Sequence, residues 1–95
     1  MLEQLQAIIQ DRKANPRAGS YTNSLFDAGA AKIAQKVGEE AVEVIVAALG
    51  QERPAQIGEL SDLFYHTLVL MTHLGITLED VQAELARRHG MKGGE

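Results

Sequence analysis

Residues 30–50 read AAKIAQKVGEEAVEVIVAALG, and this run decides the fold. Ile33, Val37, Ala41, Val44, Ile45 and Ala48 recur at spacings of three and four, which predicts one long helix from Ala30 to about Leu49, closed by Gly50. At about 100° per residue, Lys36, Glu40 and Glu43 fall in one narrow stripe of that helix, with Glu39 beside it. Val42 and Val46 border the stripe on one side, Val37 and Val44 on the other, so the helix is apolar nearly all round. A helix of that kind has partners on several sides, and its carboxylates are expected to be partly withdrawn from water. Burial of several carboxylates is costly unless a cation accompanies them.

The neighbouring segments supply the rest of an all-α fold. Arg53-Pro54 suits a first helical turn, and Leu60, Leu63, Phe64, Leu68, Leu70 and Met71 predict a helix running to His73 or Leu74, stopped by Gly75. On it, Glu59, Asp62, His66 and His73 form a second polar stripe against a broad apolar face. Thr77 followed by Asp80 matches a capped helix start, with Leu78, Val81 and Leu85 inward and Arg87 and Arg88 near its carboxyl end. Upstream, Leu2, Leu5, Ile8 and Ile9 predict a first helix that ends near Asn15-Pro16. Pro16 to Gly29, rich in Gly, Ser, Thr and Asn, reads as a connection with one short helical turn after Ser20. The expectation is therefore a four-helix bundle without strands, one domain over residues 1–90, followed by a glycine-rich tail, 91–95, that frays.

Composition narrows the function. A chain of 95 residues buries only a modest fraction of its surface by itself, which favours a homo-oligomer. Thirteen acidic against nine basic residues give a formal charge of -4, and no basic run tracks a phosphate backbone, so nucleic acid is not expected as a partner. The absence of cysteine removes disulfides, thiolate zinc and cysteine nucleophiles, and the cytoplasm is the expected compartment. Glu3, Gln4, Gln6 and Gln10 interrupt the amino-terminal segment, unlike a signal peptide. The longest stretch without a charge, Leu63 to Leu78, is polar in places and short for a membrane span.

Two acidic stripes on adjacent antiparallel helices can converge. Magnesium prefers oxygen ligands and keeps water and substrate phosphates in its coordination sphere, so such carboxylates make a suitable cage, for which manganese is the alternative ion. Di-iron bundles instead need a glutamate three residues before a histidine, an offset that His66, His73 and His89 all lack. Taken alone, Lys36 with Glu40 is an ordinary four-apart ion pair; Glu39-Glu40-x-x-Glu43 together with Glu59-x-x-Asp62 is harder to explain as solvation.

At these residues the chain resembles the MazG-like superfamily of all-helical nucleotide pyrophosphohydrolases, whose signature is EExxE followed a helix later by ExxD. Ser20-Tyr21-Thr22, the run Lys36 to Glu43, Asp62-Leu-Phe-Tyr65-His66 and Arg87-Arg88-His89-Gly90 resemble, within it, the phosphoribosyl-ATP pyrophosphohydrolase family of histidine biosynthesis. The resemblance implies hydrolysis of phosphoribosyl-ATP between its α- and β-phosphates to phosphoribosyl-AMP and pyrophosphate. It implies metal ligands at Glu40, Glu43, Glu59 and Asp62, with Glu39 orienting water or holding a second ion, and Glu39, Glu40 and Glu43 as the catalytic carboxylates. Lys32 and Lys36 lie where they can meet phosphate oxygens, although Lys32 serves a surface role as readily. Tyr21 and Thr22 are expected at the nucleotide, and His66 near the metal or satisfied by a neighbouring hydrogen bond. Arg12, Lys13 and Arg17 suit either the extra ribose phosphate or a helix dipole.

Many relatives are fused to a cyclohydrolase domain that uses cysteine-bound zinc. With no cysteine here, that step is expected on another protein. His73, Met71, Phe26 and Phe64 read as core or interface. Two alternatives stand beside this reading: a MazG-like enzyme acting on canonical or damaged nucleoside triphosphates, and a non-catalytic helical dimerisation module.

Overall fold

The computed structural model describes residues 1–90; the expected tail at 91–95 lies outside the described residues. The described residues form five helices and no strand: α1 (Leu2–Ala14), α2 (Tyr21–Ala28), α3 (Ala30–Gly50), α4 (Arg53–Leu74) and α5 (Leu78–His89). The all-α expectation holds, and the count of four is corrected to five. The difference is α2, expected as one turn inside a connection. Its polar composition conceals a capped start, because the Ser20 hydroxyl accepts the Asn23 N–H at 3.2 Å, and Leu25 is buried on its inner side. An eight-residue helix is marginal in isolation, so packing holds it.

The other boundaries agree with their local signals. Pro54 sits in the first turn of α4, and Gly75 ends that helix in the left-handed conformation at φ 75. Thr77 and Asp80 complete a reciprocal capping box at the start of α5. Gly50 does not act as a left-handed stop; it remains within α3, and extended Gln51 ends the helix.

Gln51 and Glu52 alone separate α3 from α4, so α4 folds back along α3, and these two share the most extensive helix contact. Ile9, Leu25, Ile33, Leu68 and Val69 form the buried core, with Leu5, Phe26, Tyr65, Leu70, Met71 and Leu78 packed around it. Much of the apolar surface expected to point inward remains uncovered. Val42, Ile45, Val46 and Leu49 on α3 and Ile57, Leu60 and Phe64 on α4 are exposed. Val81 and Leu85 are also exposed, correcting their inward assignment, since α5 packs only lightly on the other helices. Leu78 joins the core, and its N–H donates to the Gln6 side-chain oxygen at 2.8 Å.

Candidate metal centre

The α3–α4 hairpin sets the site. Glu40 and Glu43 lie one turn apart on α3, and the return of α4 brings Glu59 opposite them. One carboxylate oxygen from each of these three residues falls within a group whose members are all within 4.8 Å of one another. The glutamates differ in burial: Glu40 is buried, Glu59 intermediate and Glu43 exposed. Glu40 is the most constrained, because its side chain is 8% exposed and its Oε2 is buried without a hydrogen-bond partner. Its Oε1 lies 3.7 Å from the Lys36 ammonium.

Proximity sets the protonation behaviour. Glu43 has its pKa raised, first because its protonated carboxyl would donate a hydrogen bond to Glu40 and then by that neighbour's charge, with Asp62 adding to the effect. Asp62 therefore shares the field of the cluster, but its exposed side chain stands outside the close trio. Glu39 turns along its own helix: Oε2 accepts from Gln35 Nε2 at 2.8 Å, and Oε1 lies 3.4 Å from Lys36 Nζ. The Gln35 hydrogen bond, then that with Lys36, holds the Glu39 carboxyl below its ordinary value, and the charge of Lys32 contributes. Burial pulls the Lys36 amine down, but the Tyr21 phenol, Glu39 and Glu40 outweigh it and raise its pKa.

The remaining candidates meet where α2 docks on α4. His66 is buried, and its Nδ1 lies 2.8 Å from the Asp62 carbonyl oxygen. A carbonyl only accepts, so Nδ1 carries the proton and donates. In the neutral ring Nε2 is then the acceptor, and the Tyr21 hydroxyl, at 3.0 Å, donates to it. Thr22 is hydrogen-bonded through its hydroxyl to the Tyr65 hydroxyl. Tyr21 keeps half its surface exposed, whereas Thr22 is partly covered. Lys32 is exposed one turn before Lys36.

Two residues that periodicity did not single out organise the approach. Asn23 is buried and ties the loop to α1: its Nδ2 donates to the Arg12 carbonyl at 2.7 Å, and its Oδ1 accepts the Arg17 N–H at 2.9 Å. Tyr65 bridges to Thr22 and lies 6.3 Å from the Tyr21 ring in a stacked arrangement. A polar residue three positions after a capping serine was the available signal for Asn23; no local signal marks Tyr65. Arg12 pairs with Asp11 at 3.2 Å. Lys13 reaches the His73 carbonyl at 3.5 Å and lies over the Phe26 ring, so it serves the end of α4 rather than the acidic group. Phe26 stacks on His73, in keeping with a packing role for both.

The helical hairpin thus converges carboxylates from facing helices, with a lysine beside them, into an all-oxygen donor set that suits a hard divalent cation. The family model for phosphoribosyl-ATP pyrophosphohydrolase matches residues 2–89. A phosphoribosyl-ATP pyrophosphatase of Lacticaseibacillus casei is 54% identical over 88 residues, covering 93% of this chain and 80% of that protein. One from Clostridium acetobutylicum is 48% identical over 89 residues, covering 94% and 81% respectively. The histidine biosynthesis bifunctional protein HisIE of Oceanobacillus iheyensis is 46% identical over 95 residues, which is all of this chain and 44% of that protein. The chain belongs to the phosphoribosyl-ATP pyrophosphohydrolase family. Hydrolysis of phosphoribosyl-ATP in histidine biosynthesis is the reaction this family carries, in agreement with the sequence reading.

Proposed function

We propose that Glu40, Glu43 and Glu59, completed by Asp62, hold magnesium, with manganese as the alternative ion, and that phosphoribosyl-ATP is cleaved there. The product pair is phosphoribosyl-AMP and pyrophosphate. The observation that carries the metal reading is the buried, unpartnered Glu40 Oε2 facing a group of carboxylates from two helices. A buried anionic oxygen without a donor is unfavourable, and a hard divalent cation fits an all-oxygen set. Bound there, such an ion supplies Lewis acidity that offsets phosphate charge and makes water more acidic.

The chain's own residues supply the rest. Lys36, held between Glu39 and Glu40, offers its ammonium to phosphate oxygens at the edge of the cluster, and Lys32 extends that positive edge. Glu39, exposed beside the cluster, orients the attacking water or holds a second ion. Water adds across the α–β anhydride, the phosphorus–oxygen linkage breaks, and pyrophosphate leaves. Tyr21, half-exposed beside Lys36, meets the nucleotide, and His66 fixes the Tyr21 hydroxyl. Thr22 takes part through the placement of α2.

The exposed apolar side chains of α3 and α4 support a homodimer. An apolar groove of about 420 Å³ between α4, α5 and the start of α1 extends the same surface. Among the described residues no helix is long and apolar enough to cross a membrane. We assign the activity to the cytoplasm, in line with a biosynthetic enzyme family; these 95 residues themselves offer no cysteine that could hold a cyclohydrolase zinc.

The test is pyrophosphate release from phosphoribosyl-ATP beside a panel of ordinary nucleoside triphosphates. The expected result is a kcat/KM at least about a hundredfold higher for phosphoribosyl-ATP, the discrimination reached when buried polar groups are matched to a substrate. Faster turnover of ordinary triphosphates would replace this assignment with a housekeeping role.

A further inference from the structure

The first turn of α2 meets α4 through adjacent residues on both helices, while Phe26 stacks on His73 one turn further along α2. Tyr21 bonds His66, and Thr22 bonds Tyr65. The rings reinforce this pairing: Tyr21 stacks on Tyr65 at 6.3 Å and meets His66 edge-on at 5.9 Å. Side chains next to one another on a helix point about 100° apart, so two such bonds fix both the rotation of α2 and its position along α4. Buried Leu25 and Asn23 hold the rest of the helix.

This fixing bears on the site because α2 reaches it only through its first turn. Tyr21 is hydrogen-bonded to His66 of α4, one turn beyond Asp62, and its phenol contributes to the raised pKa of Lys36 on α3. The loop from Arg17 to Ser20 enters at the same end and surrounds a cavity of about 450 Å³ with Tyr21, Asn23, Ser24 and Asp27. Rotation of α2 would move Tyr21 and the wall of that cavity, while leaving the carboxylates, which lie on α3 and α4, in place.

We propose that Tyr65, acting through the Thr22 hydroxyl, is a positioning residue that sets the affinity for phosphoribosyl-ATP without taking part in bond cleavage. Tyr65 is half-buried with its pKa raised, chiefly by burial, so its hydroxyl keeps its proton in the working range and remains a stable partner for Thr22. The inference rests on the carboxylate centre proposed above, since positioning is defined relative to it.

The experiment compares steady-state kinetics on phosphoribosyl-ATP for the parent, Tyr65→Phe, Thr22→Val, their double variant and Thr22→Ser, each with a thermal melt. Tyr65→Phe keeps the ring and Thr22→Val keeps the shape, so each removes one hydroxyl. Loss of a single hydrogen bond should raise KM roughly threefold to tenfold in each, with kcat within about twofold of the parent. The double variant should be no worse than either single one, because both remove the same bond. Thr22→Ser, which restores the hydroxyl without the methyl, should return KM to the parental value. An unchanged KM in Tyr65→Phe, a fall in kcat at constant KM, or additive losses in the double variant would overturn the proposal. A magnesium titration of the parent separates this outcome from failure of the carboxylate centre: activity indifferent to magnesium removes the centre, whereas the KM split reports the position of α2.

Discussion

Glu43 is raised in pKa because it shares a hydrogen bond and a field with Glu40. The folded protein therefore holds that proton more tightly than the unfolded chain does, and protonating Glu43 adds stability. Without metal, this group costs stability above its raised pKa, and the cost disappears as pH falls toward the ordinary carboxylate value of 4.5. Glu43→Gln should accordingly melt at or above the parental temperature at neutral pH in a chelator, and the gap should narrow on acidification. Paired melts across that pH range check this; a mutant that melts lower at neutral pH would show that Glu43 stabilises the metal-free fold. At this scale the sequence was informative where chemistry follows helical spacing. Glu40, Glu43 and Glu59 meet because residues three apart share a face and the hairpin is short. Asn23 was not legible and Tyr65 entered only as part of the Asp62–His66 motif, without its partner Thr22, since spacing along one helix says nothing about which hydroxyl or amide it meets on another. Asp62 shows the same limit, for its spacing from Glu59 is right while its side chain stands apart from the trio.

The helices differ in how much of their stability is local. α3 and α4 are long and support each other, and their boundaries followed from Gly75, Pro54 and the apolar repeat. α2 was expected as a single turn because Ser20, Thr22, Asn23 and Ser24 read as turn chemistry, whereas buried Leu25 and Asn23 and the bonds to α4 extend it to an eight-residue helix. α5 is the converse case. It packs lightly and depends on its cap, in which Thr77 and Asp80 satisfy each other's backbone N–H groups. Thr77→Ala should cost about 1 kcal/mol and act mainly on α5. Hydrogen exchange should show faster exchange of the α5 amides with those of α3 unchanged; equal protection in both proteins would mean that packing, not the cap, holds α5.

The whole molecule is extended for its length. Its radius of gyration is 15.0 Å, against about 12 Å for a compact chain of this size. The apolar periodicity of α3 and α4 was read as burial, but the five described helices leave much of it exposed. Leu49 is 85% exposed at the end of α3, and Phe64 is 51% exposed on α4. Surfaces of this kind are ordinarily closed by a partner, and a second copy is the simplest partner for a small helical protein. Sedimentation equilibrium at micromolar concentration should give about twice the chain mass of 10.3 kDa. Leu49→Glu should shift the mass toward the monomer by placing a charge in the contact. An active parental monomer would leave the exposed face without a partner and would place the entire site within one chain.

The central claim, that the carboxylates of α3 and α4 form a metal-dependent hydrolytic centre, is tested most directly by pyrophosphate release from phosphoribosyl-ATP as magnesium is titrated from chelator upward. Parent and Glu40→Gln should be measured together, because Glu40 carries the buried, unpartnered oxygen at the heart of the cluster. The parent should be inactive in chelator and rise to a plateau with magnesium. Glu40→Gln should remain at least about a hundredfold below that plateau at every concentration, in line with the loss of a charged group from a site of transition-state stabilisation. Undiminished activity of the parent in chelator, or a parental plateau in Glu40→Gln, would contradict the claim.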